Sequence, residues 1–290
     1  MATKGLPPDV VRARIDELVG LWRDDPHDSV EVLRRDSDAV GLTVFGLAAH
    51  TYSLAAAVRS LDDVGGEPTM VPLVRQMLEC AVTAMWVEKY NARAAKTVAK
   101  EQARGRLLVL KNFLDAGVPD DGSIAKWQAT IDELDLDAGK SGEKLWQRCE
   151  ELEGLKSTYA MYRALSSVSH ADGAVVDLYA RTVDPTAEHP VGVQLAAAPK
   201  QWLRDNVMSV ALVYLLLAGR AWDRLDRHHR SRTRLKQIAA EAGVKLAWTQ
   251  SAVGLRRQAE WERAQRERRR STPSAQRGLP SLADDVKRRN

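Results

Sequence analysis

V207-MSVALVYLLLA-G219 is the longest apolar run in the 290-residue chain, and its length decides how the rest is read. Thirteen residues interrupted by Ser209 fall well short of the ~20 that a helix needs to cross a bilayer. The run therefore predicts a core helix, with helical pattern from Gln201 to about Arg227. The same period recurs outward from it. Val10, Val11, Ile15, Leu18, Val19 and Trp22 form one apolar face from Pro8 to Trp22, which Asp24-Asp25-Pro26 ends. A second helix fits Ser37 to Leu61. A third starts near Thr69, read as its N-cap with Pro72 in the first turn, and runs to about Leu114 with a break near Asn91. Shorter helices fit Ser123 to Leu134, Ser141 to Leu152, and from about Ser157 onward. Only AVVDLYARTV and VGVQLA, separated by DPTAEHP, carry β-branched runs, which predicts a short hairpin within residues 173–200. The expected fold is all-α: a single helical-bundle domain with a short β-hairpin insertion and a basic helical C-terminal extension. Its parts are an N-terminal helical segment (1–36), the body (37–227), a basic helical region (228–270) and a tail (271–290) that lacks a packing period and reads as disordered.

Composition narrows the function classes. With 44% hydrophobic and 28% charged residues the chain has ordinary globular proportions. Its two cysteines, Cys80 and Cys149, form no CxxC and sit within helical pattern, so a reducing compartment without structural zinc is expected. The opening MATKGLPPDVVRARIDELVG has no apolar signal core, and the expectation is a cytoplasmic protein without membrane attachment. The net charge of +4 hides a split: residues 1–219 carry −7 and residues 220–290 carry +11. A basic end of this kind points to RNA, DNA or another acidic partner, or to self-association against the acidic body, or is simply a solvated tail.

One polar stripe stands out. Tyr159, Arg163, Ser166 and His170 are offset by four, three and four residues, which sets them on one helix face. Arg163 and His170 lie two turns, roughly 10 Å, apart. Met161, Leu165 and Val168 face the other way, and Gly173 follows close behind His170, where a helix end favours an imidazolium. A permanent cation beside a titratable ring can hold a phosphate and move a proton. The alternative is a buried Arg and His satisfied by carboxylates. Arg75 and Glu79 form an i,i+4 pair on the third helix that can orient a neighbouring group such as Tyr159 or His170, or can be an ordinary surface pair. His50, alone on an apolar helix, reads more readily as a packed histidine than as a base. There is no GxxxxGK[ST], no GxGxxG after a strand and no HExxH, and the six histidines are scattered apart from His228-His229. No metal and no cofactor are expected.

The segments LVRQMLECAVTAMWV (73–87) and YRALSSVSHADG (162–173) resemble the two most recognisable stretches of a bacterial family of unknown function, an Arg-x3-Glu helix followed by a Tyr…Ser…His segment. More loosely, Arg163-x6-His170 is similar to the Arg-x4–6-His signature of HEPN domains, small helical bundles of which many are metal-independent RNases in toxin and phage-defence systems. That resemblance implies a homodimer whose two copies of Arg163 and His170 meet in one cleft. Arg163 would stabilise the phosphorane charge, and His170 would move the proton between the 2′-hydroxyl and the leaving oxygen. Tyr159, Ser166, Arg75 and Glu79 would support them. Ala164 departs from the pattern, since a polar residue often follows that arginine in active HEPN enzymes.

The basic end has its own candidates. Arg268, Arg269 and Arg270 close its helical pattern and are the expected phosphate contacts. Residues 234–257, RLKQIAAEAGVKLAWTQSAVGLRR, look like a helix-turn-helix whose second helix starts near Lys245, with Thr249 where an apolar anchor is usual. Three functions follow: an RNA-binding protein or metal-independent RNase, a non-catalytic helical interaction module, and a DNA-binding regulator.

Overall fold

A computed structural model describes residues 5–25, 38–137, 142–170, 173–186, 191–197, 199 and 204–271. The predicted disordered tail beyond residue 271 lies outside the described residues, as do residues 26–37. Ten helices and one two-stranded hairpin are present among the described residues, so the all-α expectation holds.

The apolar run lies within α8 (Arg204–Leu225), and every residue from Ala211 to Ala218 is buried. α8 is enclosed by α1 (Pro8–Asp24), α2 (Asp38–Asp63) and α3 (Glu67–Asp115). Each Leu so enclosed contributes roughly 1.5–3 kcal/mol, which fixes α8 as the axis of the bundle. Aromatic rings lock α1 and α2 onto it: Trp22 stacks on Tyr52 at 4.3 Å, and Phe45 meets Trp222 edge-on at 5.2 Å. By length and composition α2 is itself long and apolar enough to cross a membrane, with 39% of its apolar window buried. Here it packs on α1, α3 and α8.

The long third helix begins at Glu67, two residues before the expected cap at Thr69, and bends at Asn91 (φ 47°, ψ −126°), where the sequence suggested a break. Asparagine tolerates a left-handed φ better than most residues. Before the bend α3 packs on α2, α8 and α6 (Lys156–Ser169). After it, Ala103 and Leu107 pair with Ile131 of α4 (Ser123–Asp137) in a small separate cluster.

A buried polar hub sits below the bend. Glu151, at the end of α5 (Leu145–Glu151), is fully buried and accepts from Arg93, itself 1% exposed, and from Trp86 Nε1 at 2.8 Å. Tyr90 Oη donates to the Glu151 carbonyl at 2.8 Å. α10 (Ala252–Ser271) closes the hub at Gly254, where a Cβ would collide with the Tyr90 hydroxyl and the Glu151 carbonyl, so only glycine fits.

Two expectations are corrected. The run AVVDLYARTV is not one strand. Its first part is α7 (Gly173–Tyr179), whose Leu178 is buried, and only β1 (Ala180–Thr182) pairs antiparallel with β2 (Val193–Leu195), Arg181 opposite Gln194. An isolated hairpin is marginal, and burial against α6 outweighs β propensity. The helix-turn-helix at 234–257 is also absent. α9 (Arg232–Glu241) stops at Gly243 (φ 66°), and the next helix starts at Ala252, not near Lys245. Between them Trp248 is buried and donates to Glu88 at 3.0 Å, and Gln250 forms a β-bridge with Leu152. Burying that indole straps the segment to the body, and Ser251 caps α10 instead, accepting from Gly254 N at 3.1 Å. Among the described residues no helix starts near Lys245.

Candidate functional site

The stripe residues ride on α6, which is pressed against α3 by buried Thr158 and Leu165 with Met161 and Val168 partly buried beside them. That packing turns one edge of the stripe toward Arg75. The Arg75 guanidinium is held on three sides: Nε donates to Ser166 Oγ at 2.9 Å, Nη2 donates to Tyr162 Oη at 2.7 Å, and Glu79 Oε1 lies 2.8 Å from Nη2. Arg75 also stands over the Tyr162 ring at 4.8 Å, and Tyr162 stacks on Tyr159 at 5.8 Å. Ser166 Oγ completes the set by donating to the Tyr162 carbonyl at 2.8 Å. With side-chain exposures of 21% and 29%, Arg75 and Glu79 are half-buried, so the pair is neither a free surface ion pair nor a core one.

The structure thus brings Arg75, Glu79, Ser166 and, through its stacked ring, Tyr159 together. Arg75 reaches Tyr162 and Ser166, not Tyr159 or His170 as the sequence suggested. Tyr162 was not among the predicted site residues. Its signal was available: it stands four residues before Ser166, on the stripe's edge, and opens the Tyr…Ser…His segment.

Arg163, on α6, and His170, just beyond its end, are on the solvent side. Both are exposed, and neither side chain makes a hydrogen bond or ion pair with another described residue. His170 is the residue just past α6, with extended backbone (φ −112°, ψ 152°), as its distance from Gly173 implied. The alternative of a buried histidine satisfied by carboxylates therefore does not hold. His50 is exposed on α2.

Other reactive groups are committed elsewhere. Burial pushes the Cys80 thiol up to about 11 and the Cys149 thiol up to about 12, so both stay protonated and inert at neutral pH. Among the described residues no group of three His, Cys, Asp or Glu is arranged to hold a metal ion. On the basic side, Arg268 and Arg270 are exposed near the end of α10, and the Arg269 side chain lies outside the described ones.

A family of unknown function, DUF5677, matches residues 42–186, half of the chain. The chain belongs to that family. The matched segment contains the Arg75–Glu79 pair, the whole of α6 and His170, so the cluster just described lies inside the family's own region. Searches of curated proteins and of solved structures return no match.

Proposed function

We propose that this DUF5677 member is a HEPN-like, metal-independent RNA-cleaving protein of the toxin or phage-defence type, acting as a homodimer in the cytoplasm. The observation that carries the reading is the pair Arg163, on α6, and His170, the residue just past its end: seven positions apart, both exposed, and claimed by no other described side chain. A cation and an imidazole left unpaired on a helix that the body otherwise anchors are available to a phosphodiester. The Arg75 cluster supports them from behind. By holding Tyr162 and Ser166 it fixes the rotation of α6 and hence the direction in which Arg163 projects. In a two-fold dimer the two copies would line one cleft, in which Arg163 neutralises the charge on the phosphorane oxygens. His170 takes the proton of the 2′-hydroxyl as its oxygen attacks the adjacent phosphorus, and a second imidazole protonates the departing 5′-oxygen.

The test is cleavage of RNA by purified protein in the presence of a chelator. Arg163→Ala and His170→Ala are each expected to abolish cleavage, and cellular toxicity with it, while leaving the thermal midpoint unchanged because both side chains are exposed. Loss of wild-type activity in chelator would move the chemistry to a metal.

A second reading, a non-catalytic helical interaction module, is favoured by one observation: Ser166 and Tyr162 are already occupied by Arg75 in a purely structural role. Harmless overexpression together with no cleavage by the wild-type protein would establish it.

A further inference from the structure

A pocket of about 200 Å³ opens between the turn joining α5 to α6 and the strap joining α9 to α10. Met85, Leu155, Leu217 and Trp248, all buried, form its interior, and Glu153 and Lys245, both exposed, stand among its lining residues. Its two walls are pinned to each other. Glu153 N donates to Thr249 O at 2.9 Å, the Leu152–Gln250 bridge follows, and Trp248 is tethered to Glu88, so the pocket is formed before any ligand arrives.

The interior is apolar and small. A dry cavity of about 150 Å³ accepts a benzene-sized guest, so this one takes a single side chain of leucine, methionine or phenylalanine size. It is smaller than the roughly 300–1,000 Å³ of sites for drug-sized molecules. The charged groups are one ammonium and one carboxylate. Among the described residues no ion pair joins Lys245 to Glu153, and neither side chain is engaged by another. A neutral apolar guest would leave both charges unused. A guest bearing one charge would meet a like charge on the same lining.

We propose that this pocket binds a free apolar α-amino acid, with its carboxylate toward Lys245, its ammonium toward Glu153, and its side chain among Met85, Leu155, Leu217 and Trp248. The site is separate from the Arg75 cluster, and the proposal does not depend on RNA cleavage.

The experiment is titration of the full chain, by calorimetry or ligand-observed NMR, with L-phenylalanine, L-leucine, 3-phenylpropionate and 2-phenylethylamine. Both amino acids are expected to bind saturably, and each single-charge analogue at least about tenfold more weakly than phenylalanine, a difference of about 1.4 kcal/mol. Lys245→Gln and Glu153→Gln should each weaken phenylalanine binding by a similar factor. Ala247→Trp, at an exposed lining position, should abolish it without lowering the thermal midpoint. The proposal is overturned if neither amino acid binds saturably in the millimolar range. It is equally overturned if the analogues match phenylalanine, if the charge-removing variants bind like wild type, or if a folded Ala247→Trp protein still binds.

Discussion

Glu151 gathers several buried interactions. It is fully buried, carries the charge that compensates Arg93, accepts from the Trp86 indole, and lies 3.4 Å from Arg257 of α10. Removing one partner of such a pair strands the other in a low-dielectric interior. Glu151→Ala is therefore expected to cost about 3–5 kcal/mol, read as a lower denaturant midpoint at unchanged slope, with Glu151→Gln less damaging because it retains an acceptor for Trp86. An Ala variant within 1 kcal/mol of wild type would show that water reaches Arg93. Arg75 differs in kind. Half-exposed and held by a hydroxyl, a phenol and a carboxylate, it positions α6 more than it stabilises the fold.

At the scale of elements, much was legible because helical periodicity is strong where one face is buried. α1, α2, α8 and the bend at Asn91 follow the apolar pattern and the breakers to within a few residues. The misreadings have one physical cause: a local preference outweighed by a tertiary contact. Val175 and Val176 favour a strand, yet Leu178 gains more from burial in α7. IAAEAG followed by Val244 and Lys245 suggests a tight turn into a second helix, yet the buried Trp248 holds the next residues extended. In the site, the stripe and the Arg75–Glu79 pair were visible, whereas the hydrogen bonds from Arg75 to Tyr162 and Ser166, 87 and 91 residues away, had no local signal.

The docking of α9 on α1 gives a pH dependence of known sign. The hydrogen bond from Arg234 holds the Glu17 carboxyl below its ordinary value of 4.5, with Arg14 adding to the effect. A depressed folded pKa means stabilisation that is present above the unfolded value and lost as pH falls through the folded one. The contact should lose up to about 1 kcal/mol on acidification, and hydrogen exchange in α9 should rise more for wild type than for Glu17→Gln. Identical acid responses would show that the ion pair contributes nothing.

For the whole molecule, charge is the organising feature: a body of −7 and a C-terminal part of +11. The structure sets the useful truncation point. Arg257 belongs to the hub through Glu150 and Glu151, so a cut before it would damage the fold. Deleting 259–290 removes 9 basic and 5 acidic residues and takes the chain from +4 to neutral. If the distal part of α10 attracts RNA through Arg268, Arg269 and Arg270, this deletion should weaken binding and flatten the salt dependence by roughly 0.7–0.9 in log K per log salt for each lost contact. Cleavage-site preference should be unchanged, since phosphate contacts position without reading bases. Equal slopes would make the segment a solvated extension. Metal-free RNA cleavage by Arg163 and His170 is tested by analysing the ends of RNA incubated with wild-type protein in chelator. Attack by the 2′-hydroxyl leaves 2′,3′-cyclic phosphate and 5′-hydroxyl ends, which are expected with wild type and absent with His170→Ala. Intact RNA, or 3′-hydroxyl and 5′-phosphate ends, would contradict it.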